Sequence, residues 1–261
     1  MLDSPTEHQL SALHLGAMLD TWRQQQSDAQ YSALSFDERF ALLVEAEWTR
    51  RENQRLQRLL REAKLKLPNA CIEDIDFSAG RELDRAQVRQ LATCRWLREH
   101  HNVLLTGPAG TGKTYIACAL AQQACRHGMR ALYRRLPRLF HELTLAHADG
   151  TYASLLARFA RIDVLILDDF GLATLQEHER RDLLEILDDR YGMRSTIVSS
   201  QLPTKAWHTQ IGDETVADSI CDRLLHNAHR VVLQGASRRK EQAHKSPSDS
   251  TSLRSDSQLD S

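Results

Sequence analysis

Residues 102–114 read NVLLTGPAGTGKT, and their reading decides the fold. Asn102 to Thr106 form a short apolar run suited to a buried strand, and residues 107–114 then match G-x-x-x-x-G-K-[ST]. Glycines let such a loop curl with its backbone N–H groups turned inward. Those donors, with the positive end of the following helix, make a nest for anions. Gly107, Pro108, Ala109, Gly110, Thr111 and Gly112 are thus expected to cradle the phosphates of a nucleoside triphosphate. Lys113 would reach the β- and γ-phosphates, and Thr114 would place its hydroxyl on Mg2+.

Outward from this loop, strands and helices alternate. The runs ALYRRL (131–136), IDVLILDD (162–169), STIVSS (195–200) and HRVVLQG (229–235) join NVLLT as five apolar strands. Helices are expected at about 82–99, after Asn102–Thr106, from 136 through Leu145, over EHERRDLLEILDDRYG, and near 214–227. The pattern predicts an α/β fold whose parallel sheet is covered on both faces, with right-handed crossovers.

The run VLILDDF (164–170) ends abruptly in two carboxylates. Acids at the C-terminal end of a central strand lie at the crevice where open α/β sheets bind ligands. Asp168 is the expected magnesium partner, and Asp169 is placed to orient or polarise an attacking water. STIVSSQ ends in Ser199, Ser200 and Gln201, which could reach the γ-phosphate or the water from a neighbouring strand. Arg223 sits on a helix whose apolar residues are at 216, 217, 220, 224 and 225. It reads either as an ordinary exposed arginine or as one acting in trans on a neighbouring subunit's γ-phosphate.

Residues 1–67 read as a helical domain, with an S-x-x-E capping pattern at Ser35 and Glu38. In residues 48–66 seven basic side chains stand against two glutamates, with leucines at 56, 59, 60 and 65 in helical spacing. Such a helix could lie along DNA phosphates; the same pattern describes a solvated helix face. Pro68 and Asn69 open a connector, 68–80, ahead of an ATPase domain at 81–245. The remainder, 246–261, is too poor in apolar residues to offset the entropy of ordering and reads as a disordered tail.

Composition bounds the rest. The net charge of −1 gives no overall argument for nucleic acid, so only local charge matters. Five cysteines form no C-x-x-C pair, which indicates neither a zinc site nor a disulfide framework; His226 and His229 lack accompanying ligands. The N-terminus lacks the charged start and apolar core of a signal peptide, and no apolar run reaches membrane-spanning length. A cytoplasmic protein with no membrane partner is expected.

Taken together, LSFDERFALLVEAEW, WTRRENQRLQRLLREAKL, NVLLTGPAGTGKT, VLILDDFG and ADSICDRLLHNAHRVVLQGASRRK resemble the AAA+ ATPases. More closely, they resemble the IstB family of transposition helper ATPases, relatives of the bacterial replicative helicase loaders, from about Leu34 to Lys240. The resemblance implies a P-loop AAA+ core with ATP as its nucleotide and a five-stranded parallel sheet of order 5-1-4-3-2, preceded by a small all-helical domain. It implies Lys113 and Thr114 as Walker A residues, Asp168 and Asp169 as Walker B, Gln201 as sensor one and Arg223 as the arginine finger. It further implies DNA binding by the N-terminal domain, on the helix bearing Arg50, Arg51, Arg55, Arg58 and Arg61. The implied activity is assembly as a homo-oligomer on double-stranded DNA, stimulation of a transposase encoded by the same element, and release on hydrolysis.

Two positions depart from the family pattern. Many AAA+ proteins carry glutamate where Asp169 stands, and the shorter chain predicts slow turnover; many relatives have asparagine at the place of Gln201. The residues after Arg230 are too few and too polar for a helical lid, which Arg238 and Arg239 could replace in part. The alternative function is a replicative helicase loader. The N-terminal domain has no cysteine cluster, which argues against the zinc-bearing loaders. A small-molecule kinase would need a lid and an acceptor pocket that the sequence does not display.

Overall fold

The computed structural model describes residues 5–77 and 83–235. The tail at 246–261, Arg238 and Arg239, and the end of the 68–80 connector lie outside the described residues. The chain divides into two compact units between Arg61 and Glu62.

The first unit is helical: α1 (Pro5–Ala12), α2 (Gly16–Ser27), a 3-10 turn (Ala29–Ala33), and α3 (Phe36–Ala63), which runs past the division. The capping pattern read in the sequence is present. Ser35 N–H donates to Glu38 Oε2 at 2.8 Å and Glu38 N–H donates to Ser35 Oγ at 3.3 Å, satisfying donors that a helix start leaves orphaned.

Glu47, only 6 % exposed, ties α3 to the start of α2 by accepting from Ala17 N–H at 3.1 Å. It also receives Arg50 and Arg51 on the same helix. These bonds, Arg50 foremost, hold its carboxyl down at about 2 against an ordinary 4.5. Because the folded value is depressed, the stabilisation is present above the unfolded value and lost as pH falls through the folded one. The Tm difference between the wild-type chain and Glu47→Gln is therefore expected to be constant near neutrality and to shrink between pH 4.5 and about 2. Thermal unfolding followed by circular dichroism across that range checks this.

Phe36, Phe40, Val44 and Trp48 recur every fourth residue on α3 and stay exposed, Phe36 at 70 % and Trp48 at 68 %. The sequence pattern marks them as apolar at helical spacing, yet they form an uncovered stripe rather than core.

The second unit carries α4 (Arg85–Ala92), α5 (Arg95–Arg98), β1 (Asn102–Thr106), α6 (Lys113–Arg126), β2 (Ala131–Arg135), α7 (Leu136–Asp149) and α8 (Tyr152–Arg161). There follow β3 (Val164–Phe170), α9 (Glu177–Arg190), β4 (Ser195–Ser200), α10 (Trp207–Ile211), α11 (Glu214–Leu225) and β5 (Ala228–Val232). All strand pairs are parallel, and the order is β2-β3-β4-β1-β5, the sheet implied by the resemblance read from its other edge. β1, β3 and β4 are almost wholly buried, with aliphatic centres (103–105, 164–167 and 197–198), whereas the edge strand β5 is largely accessible.

One side of the sheet packs Leu132, Leu165, Leu167 and Val198 against Leu139 and Leu143 of α7, Leu183 and Ile186 of α9, and Ile220 and Leu224 of α11. Apart from this cluster, α6 packs on β1, β2, β3 and β4 and buries Ile116, Ala117, Leu120 and Ala121. Burying such a Leu or Ile contributes roughly 1.5–3 kcal/mol each.

Two helical spans differ from the sequence expectation. The helix expected at 82–99 is two helices, because Cys94 takes a left-handed conformation (φ 57°) that turns Trp96 inward, where its indole N–H donates to Leu91 O at 2.9 Å. The helix expected to end near Leu145 runs to Asp149, stops at left-handed Gly150, and is followed by α8. At the C-terminal end of α9, Arg190 is 1 % exposed and donates to the carbonyls of Phe159, Ile162 and Ser195 and to Thr196 Oγ1. Burial pushes its guanidinium down to about 9. Among the described residues no helix is long and apolar enough to cross a membrane.

Candidate functional site

The C-terminal ends of β1, β3 and β4 open onto a cavity of about 770 Å³ whose lining includes Ala109, Gly110, Gly112, Lys113, Thr114, Asp168, Asp169, Ser199 and Gln201. Thus Lys113, Thr114, both carboxylates and Gln201, separated by up to 88 positions in sequence (113 to 201), meet at one place. The loop is fitted closely. Gly107 leaves β1 with φ 144°, and a Cβ there would lie 2.1 Å from Leu233 O, so the backbone after β5 occupies the space a side chain would need. Gly112 (φ 98°) turns the chain into α6, and Thr111 Oγ1 donates to Pro108 O at 3.0 Å.

Lys113 is 7 % exposed, and its ammonium donates to Gly107 O at 2.6 Å and Pro108 O at 2.7 Å. These neutral carbonyls solvate the charge without cancelling it, so an anion in the loop would be a stronger partner.

Asp168, 1 % exposed, accepts at Oδ2 from Thr114 Oγ1 (2.9 Å) and from the Tyr133 hydroxyl (2.7 Å). Its other oxygen, Oδ1, is buried without a hydrogen-bond partner among the described residues. Burial and the Asp168 carboxylate push the Tyr133 phenol far up, so it remains a donor. A buried carboxylate oxygen left free beside a threonine hydroxyl is the donor set a hard, oxygen-seeking cation requires, so the residues fit Mg2+.

Asp169 adopts φ 63°, unusual for a residue other than glycine, and the β3–β4 register shifts between Leu167 and Phe170. In regular strand, neighbours face opposite sides; this irregularity puts Asp168 and Asp169 on the same cavity. Asp169 Oδ2 is held by Arg135 Nε at 2.6 Å, from the end of β2, and the carboxylate raises the guanidinium's pKa. Arg135 and Tyr133 escaped the sequence reading. The only signal is that polar residues end the apolar strand ALYRR, and strand adjacency alone gives that meaning.

Ser200 is not part of the cavity. It is 0 % exposed; its hydroxyl donates to Phe170 O at 2.8 Å and accepts from Leu202 N–H at 3.1 Å, pinning the β3 and β4 ends. Arg223 does not line the cavity of its own chain. It is about one-quarter exposed, ion-pairs with Asp188 and donates to Ser219 O at 2.9 Å, in a cleft shared with Arg190 and Arg194. In the first unit, Arg50, Arg51, Arg55, Arg58 and Arg61 line one open groove along α3, interleaved with Asn53, Gln54 and Gln57. Arg50 is the least available, since it also donates to His14 O at 2.9 Å; Arg58 and Arg61 are exposed.

A strand, glycine loop and helix facing two strand-end carboxylates, on a parallel sheet of this order, define a P-loop ATPase of the AAA+ type. The chain matches the family described as IstB-like ATP binding protein over residues 8–246 and belongs to it. It is 47 % identical to the y4pL insertion sequence ATP-binding protein of Sinorhizobium fredii (strain NBRC 101917 / NGR234), covering 94 % of this chain and all of that one. It is 52 % identical over 202 residues to the IS1162 ATP-binding protein of Pseudomonas fluorescens, covering 76 % of this chain and 87 % of the relative. Among solved structures, the DnaC helicase loader shares the fold, with a TM-score of 0.52 and 20 % identity over 64 % of this chain and 97 % of that one.

Proposed function

We propose that this protein is an ATP-dependent helper of DNA transposition: it assembles as a homo-oligomer on double-stranded target DNA, stimulates the transposase of its own element, and releases DNA on ATP hydrolysis, in the cytoplasm. The observation that carries this reading is the arginine groove on α3, in a chain whose insertion-sequence relatives align across both units. Side chains on one helix in that arrangement suit a phosphate backbone, which gives affinity with little sequence preference.

Within the cavity the roles follow from the contacts. Lys113 exchanges the carbonyls of Gly107 and Pro108 for phosphate oxygens, while the 107–112 backbone cradles the rest of the triphosphate. Thr114 and Asp168 hold Mg2+, which when bound withdraws charge from the phosphates. Asp169 orients the attacking water once Arg135 lets go of it, and Gln201 and Ser199 contact the γ-phosphate or that water. Arg223, leaving Asp188, reaches the phosphate held by Lys113 of a neighbouring copy, so that ATP favours assembly and its loss loosens it.

Arg135→Ala is expected to raise basal ATP turnover in the absence of DNA. The pair is partly exposed and worth up to about 1 kcal/mol, so release of Asp169 should give an increase of up to about fivefold. Phosphate release with saturating ATP measures it. The function itself is tested by adding the purified protein to the element's transposase with donor and target duplexes. Strand transfer that rises only with ATP supports the helper reading; no rise, with capture of a replicative helicase instead, supports a loader.

A further inference from the structure

Lys66 stands three residues beyond the end of α3, is exposed, and lines the same cavity as Lys113, Arg135, Asp168 and Asp169. We infer that Lys66 is a γ-phosphate-binding residue, contributed in cis by the short segment between α3 and the connector, through which the nucleotide state is passed to the chain leading out of α3. This rests on the reading of the cavity as an ATP site.

Charge supports the assignment. The Lys113 ammonium already donates to the carbonyls of its own loop, and Arg135 is paired with Asp169 at 2.6 Å, so that guanidinium is compensated within the lining. The Lys66 ammonium makes no ion pair or hydrogen bond among the described residues, which leaves it as uncompensated positive charge on the cavity wall. A triphosphate with one divalent cation still carries net negative charge, and an unpaired ammonium at the wall complements it.

Position distinguishes the γ-phosphate end from the base end. Cys118 lies one helical turn beyond Thr114, and its thiol is influenced by the charges of both Asp168 and Lys66 and by the backbone of Lys66 and Leu67. Lys66 also lines the cavity together with Asp168 and Asp169, the carboxylates beside which the terminal phosphate and its cation would sit. The connector is also fastened to α6, the helix that closes the loop. Ala70 is 2 % exposed, Cys71 N–H donates to the Tyr115 hydroxyl at 3.5 Å, and that hydroxyl donates back to Cys71 O. Lys66 thus lies between two buried anchors, Ala63 at 0 % exposure and Ala70 at 2 %, so only its exposed side chain need move to meet a phosphate.

The test uses full-length protein with Mg2+, no DNA and no transposase. Equilibrium titrations with a non-hydrolysable ATP analogue and with ADP are compared for wild type, Lys66→Ala and Lys66→Arg. Loss of one charge-assisted hydrogen bond should weaken the analogue about tenfold in Lys66→Ala, leave ADP within about twofold, and be largely recovered in Lys66→Arg. Hydrogen exchange should show residues 64–72 protected by the analogue in wild type but not in Lys66→Ala. Equal weakening of both nucleotides, no weakening of either, or undiminished protection in Lys66→Ala would overturn the proposal. Failure of wild type to bind any nucleotide would instead remove the ATP-site reading on which it rests.

Discussion

Lys113→Ala is expected to lower ATP hydrolysis by about 10³-fold, the scale seen when a preorganised donor to developing charge is removed. Lys113 is buried with its ammonium held 2.6 and 2.7 Å from the carbonyls of its own loop, already aimed at the place where phosphate charge would develop. The carbonyls it leaves behind belong to an accessible loop beside the cavity and can turn to water, so the fold should survive. In thermal unfolding the variant should match wild type without nucleotide and lose the upward shift that ATP gives wild type. Hydrolysis near the wild-type rate would mean that the cavity is not the site of the chemistry.

The second large effect is structural and comes from a residue without a side chain. In Gly107→Ala the new methyl would meet Leu233 O at 2.1 Å, and the clash is with backbone, which cannot swing aside as a side-chain tip could. Either the chain after β5 or the phosphate loop must shift, and φ 144° is itself unfavourable for alanine. Strain and overpacking together should cost about 3–5 kcal/mol, a fall in Tm of about 10 °C or more, with nucleotide binding lost. Gly192→Ala is the control. Gly192 also has positive φ (68°), but nothing lies within 4 Å of its would-be Cβ, so only the conformational cost of about 1 kcal/mol applies. If the two variants melted alike, the contact between Gly107 and Leu233 would not be what fixes the loop.

The parts of this protein that were legible in sequence are those whose residue types are dictated locally. NVLLT, VLILDD and STIVSS read as strands because burial on both faces favours short aliphatic and β-branched centres, and Ser35 with Glu38 read as a helix start because their bonds span one turn. That Lys113, Thr114 and Asp168 meet at one cavity was likewise legible, since a phosphate-loop pattern fixes the spacing of the first two and the end of a neighbouring strand fixes the acid. What escaped depends on neighbours distant in the chain. Arg135 meets Asp169 only because β2 lies beside β3, and Lys66 lines the cavity only because the segment after α3 runs beside it. Ser200 shows the converse: it looked like a site residue at a polar strand end, but the shifted register beside Phe170 turned its hydroxyl into a clamp between strands. Phe36, Phe40, Val44 and Trp48 have the spacing of a buried helix face, and spacing alone does not tell whether anything covers it.

The central claim is that ATP energy is spent on assembling this protein on DNA, and equilibrium binding to random-sequence duplex at fixed salt tests it most directly. Wild type, Arg223→Ala and the double variant Arg58→Ala/Arg61→Ala would be compared with a non-hydrolysable ATP analogue, with ADP and without nucleotide. The analogue should strengthen wild-type binding by about tenfold or more, and Arg223→Ala should abolish that gain while keeping nucleotide-free binding. The double variant should bind more weakly in every nucleotide state, with a salt dependence shallower by about two phosphate contacts. Absent binding, or binding indifferent to nucleotide in wild type, would contradict the account.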